Sequence, residues 1–193
     1  MAKLRSSEIL IVDVESTCWS GPLPLDQRSE IIEIGACLLS TKTMGITKAS
    51  NVFVRPIASS VSDFCTQLTG ITQKDVDGGL PFGEACKWLV SEFDAAHVAW
   101  SSYGDYDRNQ FQRNCNAIGV KYPFSDRHFN IKSLIALFKG WGEEVGMDTT
   151  LKRLDLKLEG THHRAGDDAK NIASILKYMM AATRFLDIRE AGV

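Results

Sequence analysis

The sequence has no apolar run close to the roughly 20 residues a membrane-spanning helix needs. Its start, MAKLRSSEIL, also lacks the extended apolar segment of a secretory signal. A soluble, cytoplasmic protein with no membrane association is therefore expected. Cysteine is sparse: Cys18, Cys37, Cys65, Cys86 and Cys115 are scattered, odd in number and without a CxxC pair. That spacing argues against a disulfide framework or a zinc site and suits small core residues in a reducing compartment. No sign of charge dominates either, since 22 Lys and Arg stand against 24 Asp and Glu, with a net charge of −2 and a pI near 6.1. A global field that draws polyanions is excluded, so any contact with nucleic acid must come from a local site. Proline occurs only 5 times, and SGPLPLDQRS is the one Pro-rich interruption. Repeats, low-complexity tracts and interdomain linkers are absent from the sequence.

What is present is a chain of 193 residues, 44% hydrophobic, long enough for one substantial core. We expect a single domain over residues 1–193 with its motif-bearing core at about 8–180. EILIVDV, EIIEIGACLL and SNVFVRP read as three early strands in a meander. PFGEACKWLVSEF is the clearest helix, with Phe82, Ala85, Cys86, Leu89, Val90 and Phe93 at helical spacing and Pro81 in its first turn. HVAWSS predicts a fourth strand, DYDRNQFQRNCNAIG a helix and RHFNI a fifth strand. A helix from Lys132, a short one around TTLKRLDLK and a long one over 166–185 complete the chain. Strands first, then alternating with helices, predict an α/β fold built on one mixed sheet flanked by helices.

The unusual feature is acid on core faces. Alternation along IVDVES puts Asp13 and Glu15 on the side of Ile9 and Ile11, opposite Leu10, Val12 and Val14. A strand that simply ends in solvent gives the same pattern, so this pair alone says little. In the mid-chain helix Asp107 shares its stripe with Phe111, Cys115 and Ile118, whereas Asp105 points elsewhere and reads as an N-cap. In the last helix Asp168 lies with Ile172, Ile175, Leu176 and Met179, and Asp167 with Lys170, Ser174 and Lys177. Gathering Asp13, Glu15, Asp107 and Asp168 without cations is unfavourable, because like charges repel and burial disfavours ionisation. All-oxygen ligation suits Mg²⁺ or Mn²⁺, and two such ions about 4 Å apart can drive an in-line phosphoryl displacement. His163, which precedes Asp168 and its helix, is placed to take the proton from water, with His162 beside it as the competing assignment.

Asp13-Val14-Glu15, Asp107 opening a mid-chain helix, and His163-Arg164-Ala165-Gly166-Asp167-Asp168 together resemble the DEDDh exonuclease superfamily, a DnaQ-like group. DVESTCW, SEIIEIGACLL, FCTQLTGIT and HHRAGDDAKNIA are most similar to its histone-mRNA-exonuclease-like and KapD-like branch. The resemblance implies an RNase H-like fold with a five-stranded mixed sheet and helices on both faces. It further implies a 3′→5′ exonuclease that releases nucleoside 5′-monophosphates from single-stranded RNA or DNA ends. By that resemblance Asp13, Glu15, Asp107 and Asp168 bind two divalent cations, and His163 is the general base. The resemblance also implies that Glu15 touches both ions and lies near the terminal ribose, and that the backbone at Ser16 and Thr17 helps hold the 3′-terminal nucleotide. It implies too that Tyr106 stacks on the terminal base, with an exposed helix-start aromatic as the alternative, and that Leu68, Thr69 and Gly70 line the nucleotide pocket, with a plain turn before the helix as theirs. An idle 3′-end or protein-binding module on the same fold, or a hydrolase of small phosphodiesters, stays open. Arg108, Arg113, Lys121, Arg127, His128 and Lys132 form a basic stretch that suits either a phosphate track or a solvated face.

Overall fold

The computed structural model describes residues 5–190, with side chains over 7–183. Strands β1 (Arg5–Ser16), β2 (Ile31–Ser40) and β3 (Ile46–Arg55) come first, followed by helices α1 (Asp63–Thr69) and α2 (Gln73–Asp77). Then come β4 (Leu80–Pro81), α3 (Phe82–Phe93), β5 (Val98–Ser102) and α4 (Tyr106–Ile118). The chain continues with β6 (His128–Asn130), α5 (Ile131–Lys139), α6 (Met147–Arg153) and α7 (Ala165–Glu190).

The sheet order is β4-β3-β2-β1-β5-β6. The β1–β2 and β2–β3 pairs are antiparallel, whereas β1–β5, β5–β6 and β3–β4 are parallel. The mixed sheet with flanking helices is as expected, but it has 6 strands, not five. The extra one, β4, aligns Leu80 and Pro81 with Val54 and Arg55. Two residues carry no readable alternation, and an edge position tolerates a proline that cannot donate to the ladder. Pro81 accordingly ends that strand at the N-cap position of α3, one residue outside the helical turn expected for it.

Buried on both faces, β1 sits at the centre of the sheet. Leu10, Val12 and Val14 pack with Ala85, Leu89 and Phe111 of α3 and α4, whereas Ile11 packs with Ile131, Ile135, Ile172 and Ile175 of α5 and α7. Trp100 is fully buried and stacks on Phe124 at 4.1 Å, and Trp141 flanks the second core with the Arg153 guanidinium over its ring.

A third, smaller cluster of Ile32, Cys65, Ile71 and Val76 seats α1 and α2, which the apolar periodicity did not announce because both are too short to show it. Their caps were the legible signal. Ser62 accepts from Cys65 N–H, and Thr72 with Asp75 forms a capping box. All the cysteines are free thiols, and among the described residues no helix is long and apolar enough to cross a membrane.

Candidate active site

The site forms where β1 and β5 part. Ile11 and Ser101 are the last aligned pair, and beyond them the Val14 N–H donates instead to Asp107 Oδ1 at 3.0 Å. The first turn of α4 is thereby tied between Asp13 and Glu15. On the opposite helical layer, α7 brings Asp168 to the same strand end. Oxygens of Asp13, Glu15 and Asp168 lie within 4.8 Å of one another, and Asp107, 3% exposed, adds its field to that of Asp13. Asp105 and Asp167 are occupied elsewhere. Asp105 occupies the N-cap position of α4 without capping it, pairing instead with Arg108 at 3.1 Å and accepting from Asn130 at 3.2 Å. Asp167 accepts from the Thr161 N–H at 3.0 Å and pairs with Lys170 at 3.2 Å.

The electrostatics are those of crowded, desolvated acids. Burial, then the charges of Asp107, Glu15 and Asp168, pushes Asp13 well above the usual carboxylate range. Burial, with Asp168 and Glu33 next, raises Glu15 to about 8. For Asp107 burial outweighs the hydrogen bonds that favour its anion, and it reaches about 7. Asp168 is raised by burial against the opposing pull of His162 and the His163 N–H. A divalent cation removes the repulsion among these oxygens, and their hard, all-oxygen donor set fits Mg²⁺ or Mn²⁺.

The two histidines divide their contacts. His162 Nδ1 lies 3.1 Å from Asp168 Oδ2, while His163 has its Nδ1 3.9 Å from Glu15 Oε1. Their rings stack at 4.0 Å, and the His163 N–H donates to Asp168 Oδ2 at 2.9 Å. Burial, then the neighbouring His162, lowers the His163 pKa, which keeps its imidazole neutral near pH 7 and able to accept a proton. His163 also has φ of 64°, an uncommon conformation for a residue with a side chain and one seen at functional turns.

Asp13, Glu15, Asp168, His162 and His163 line a cleft of about 430 Å³ together with Ser16, Leu68 and Tyr106, and Asp107 lies buried outside that lining. The Ser16 hydroxyl is buried with no partner, and Tyr106 is 51% exposed. Thr17 and Thr69, expected at the nucleotide, do not line it, and both are buried. The Thr17 N–H donates to Glu30 O at 2.8 Å and its hydroxyl accepts the Glu30 N–H at 2.9 Å. Thr69 donates to Cys65 O at 2.8 Å and accepts from the Ile71 N–H at 3.1 Å. Their polar groups are spent on closing the β1–β2 connection and the turn after α1, respectively, and Gly70 is the left-handed C-cap of that helix.

Three further lining residues, Tyr103, Gly146 and Met147, were not anticipated, because α6 reaches the cleft only through tertiary packing. The Tyr103 hydroxyl anchors it by bonds to Val145 O at 2.9 Å and Thr150 Oγ1 at 2.6 Å. Cys18, expected among the small core residues, is only partly buried and lines the cleft as well. Much of the basic stretch is locally committed. Arg108 pairs with Asp105, Arg113 sits over the Tyr106 ring, and His128 is buried against Ser102 and Trp100.

A mixed sheet carrying clustered carboxylates at the end of its central strand, with a helix-borne Asp and a preceding His, defines a nuclease domain of the DEDDh type. Residues 10–176 match the family model described as Exonuclease (RNase_T), and the chain belongs to that family.

It is 34% identical over 182 residues to 3′-5′ exoribonuclease 1 of Homo sapiens, covering 89% of this chain and 52% of that protein. It is 29% identical to 3′-5′ exonuclease Snipper of Drosophila melanogaster, covering 90% of this chain and 69% of that one. The chain thus spans about half the length of the human relative. Among solved structures, the nuclease domain of 3′hExo bound to rAMP superposes with a TM-score of 0.82 at 31% identity, covering 94% of this chain and 95% of that one. A 3′-exonuclease described as recognising the 3′ end of a histone mRNA stem-loop gives 0.83 at 30% identity, covering 91% and 82%.

Proposed function

We propose that this protein is a divalent-metal-dependent 3′→5′ exonuclease acting on single-stranded 3′ ends, RNA before DNA, and releasing nucleoside 5′-monophosphates. The observation that carries the reading is the convergence of Asp13, Glu15 and Asp168 oxygens within 4.8 Å at the floor of a cleft walled by His163 and Tyr106. The preference for RNA rests on relatives named exoribonucleases.

Asp13, Glu15, Asp107 and Asp168 would hold two cations, Mg²⁺ or Mn²⁺, which would supply Lewis acidity at the scissile phosphodiester. Neutral His163, at the rim, takes the proton from the attacking water. Tyr106 offers an aromatic face to the terminal base, and the backbone at Ser16, which lines the cleft, helps hold the terminal nucleotide. Because only a short 3′ end is gripped, salt dependence is shallow.

Matched 5′-labelled RNA and DNA oligonucleotides incubated together with Mg²⁺ and, separately, with Mn²⁺ test this. Stepwise shortening from the 3′ end, abolished by EDTA and by Asp13→Ala, is the expected outcome. Intact oligonucleotides under both metals overturn it, in favour of a small-phosphodiester hydrolase if a simple phosphodiester is turned over and of an idle binding module if it is not.

A further inference from the structure

Glu33 stands directly across from Glu15 in the β1–β2 register and therefore shares its face, yet it is fully buried and belongs to neither the metal cluster nor the cleft lining. Its carboxylate is saturated. Oε1 accepts from Asn51 Nδ2 at 2.7 Å and from Arg164 at 3.1 Å, and Oε2 accepts from Arg164 Nε at 3.1 Å and from the Ala165 N–H at 3.1 Å. A carboxylate offers about four lone-pair sites, so no ready valence is left for a cation.

All but one of those bonds run to Arg164 and Ala165, which join His163 to the start of α7. Arg164 follows His163 directly, its planar guanidinium gripping both Glu33 oxygens in the bidentate geometry that fixes orientation as well as distance. The Ala165 N–H is one of the free donors at the start of α7. Two residues along β2, Gly35 aligns with Asp13, and a Cβ there would lie 2.0 Å from Ala165 O. The start of α7 thus rests on bare strand backbone beside the acids, with Glu33 as the bolt. On the other side of this short segment, Asp168 accepts the His163 N–H, closing the left-handed turn.

We infer that Glu33, acting through Arg164 and the Ala165 N–H, is a positioning residue that sets His163 and Asp168 over Asp13 and Glu15. This rests on the metal-dependent reading of the site. A purely structural ion pair would support the fold at large, whereas a positioning clamp controls this turn in particular. Arg164 also places a cation beside the acidic cluster, so the pair adds no net charge to it.

The test uses the full chain carrying Glu33→Gln or Arg164→Lys, the latter at a partly exposed side chain that serves if the former fails to fold. Without metal, hydrogen–deuterium exchange of residues 161–168 is expected to accelerate in both variants while peptides from β5 and α3 stay at wild-type rates. With Mn²⁺, followed by electron paramagnetic resonance, affinity is expected to weaken about 10- to 100-fold for Glu33→Gln. Turnover of a single-stranded oligonucleotide should fall in kcat with KM little changed, and Arg164→Lys should lie between wild type and Glu33→Gln. Wild-type exchange at 161–168, or a lower Tm with unchanged Mn²⁺ affinity and kcat, overturns the inference. Should the wild-type chain neither bind Mn²⁺ nor trim oligonucleotides, the proposed function fails, and the exchange measurement still decides the clamp.

Discussion

Asp107 Oδ1 accepts the backbone N–H of Val14 at 3.0 Å, so the carboxylate that α4 contributes is built into the strand that carries Asp13 and Glu15. Charge and hydrogen bonding at this residue are separable. Asp107→Asn keeps an oxygen acceptor for Val14 and removes the charge. Its metal-free stability in urea unfolding should equal or exceed wild type, while activity on a 5′-labelled oligonucleotide falls at least ~100-fold, the scale of losing one charge-stabilising group. Asp107→Ala leaves a buried N–H unpaired and should in addition lose about 1–3 kcal/mol of stability. Near-normal activity in Asp107→Asn would remove this residue from the metal set.

The raised acids give the metal-free protein a distinctive pH response. Glu15 is raised from its ordinary 4.5 to about 8, and Asp107 from 3.8 to about 7. In that window the folded protein binds more protons than the unfolded chain, so stability from these groups is greatest in acid and is lost as pH rises through 7 and 8. Mn²⁺ replaces the protons and should reverse the trend. Thermal unfolding is expected to show a metal-induced rise in Tm that is small near pH 5.5 and large near pH 8. A rise independent of pH would mean that these carboxylates are not the ligands.

Tyr106 begins α4 at the mouth of the cleft, half exposed, with the Arg113 guanidinium 5.9 Å from its ring. If its ring stacks on the terminal base, Tyr106→Ala should raise KM by the equivalent of about 1–3 kcal/mol, and Tyr106→Phe should stay near wild type. Tm should hardly move in either variant, because the side chain is not part of the core. Unchanged KM in the alanine variant would make Tyr106 an ordinary exposed helix-start aromatic.

Gly35 has no alternative at its position, since an added Cβ meets the Ala165 carbonyl at 2.0 Å. Gly35→Ala should lower stability by about 3 kcal/mol, the upper range of overpacking, and reduce activity more than that loss explains by shifting α7 and Asp168. Gly21→Ala, with nothing within 4 Å, is the control and should be silent. Equal behaviour of the two variants in chemical unfolding and oligonucleotide trimming would refute the close approach.

Local periodicity carried the choice between adjacent acids. The strand's alternation set Asp13 and Glu15 on one face, and the helical step separated Asp107 from Asp105 and Asp168 from Asp167. Those faces follow from backbone geometry alone, which is why they were readable before any contact was known. The clearest helix, α3, was equally legible from its apolar stripe. The two-residue β4 and the short α1 and α2 were not, because elements of that length show too few positions for a period. Their existence is decided by pairing and capping.

Partnership was hidden as well. Thr17 and Thr69 sit in segments that resemble nucleotide contacts, but their hydrogen-bonding capacity is consumed by Glu30 and by the turn after α1. Glu33, an acid inside an apolar strand, carried the same signal as Asp13 and could have been flagged for it. Its role could not be read, since its partner Arg164 is 131 residues away. The sequence determined which side chains each strand and helix turns toward the core, because that depends on dihedral periodicity. Only the tertiary structure decided which acids are left open to a cation and which are saturated, because that depends on the donors that long-range packing delivers to each oxygen.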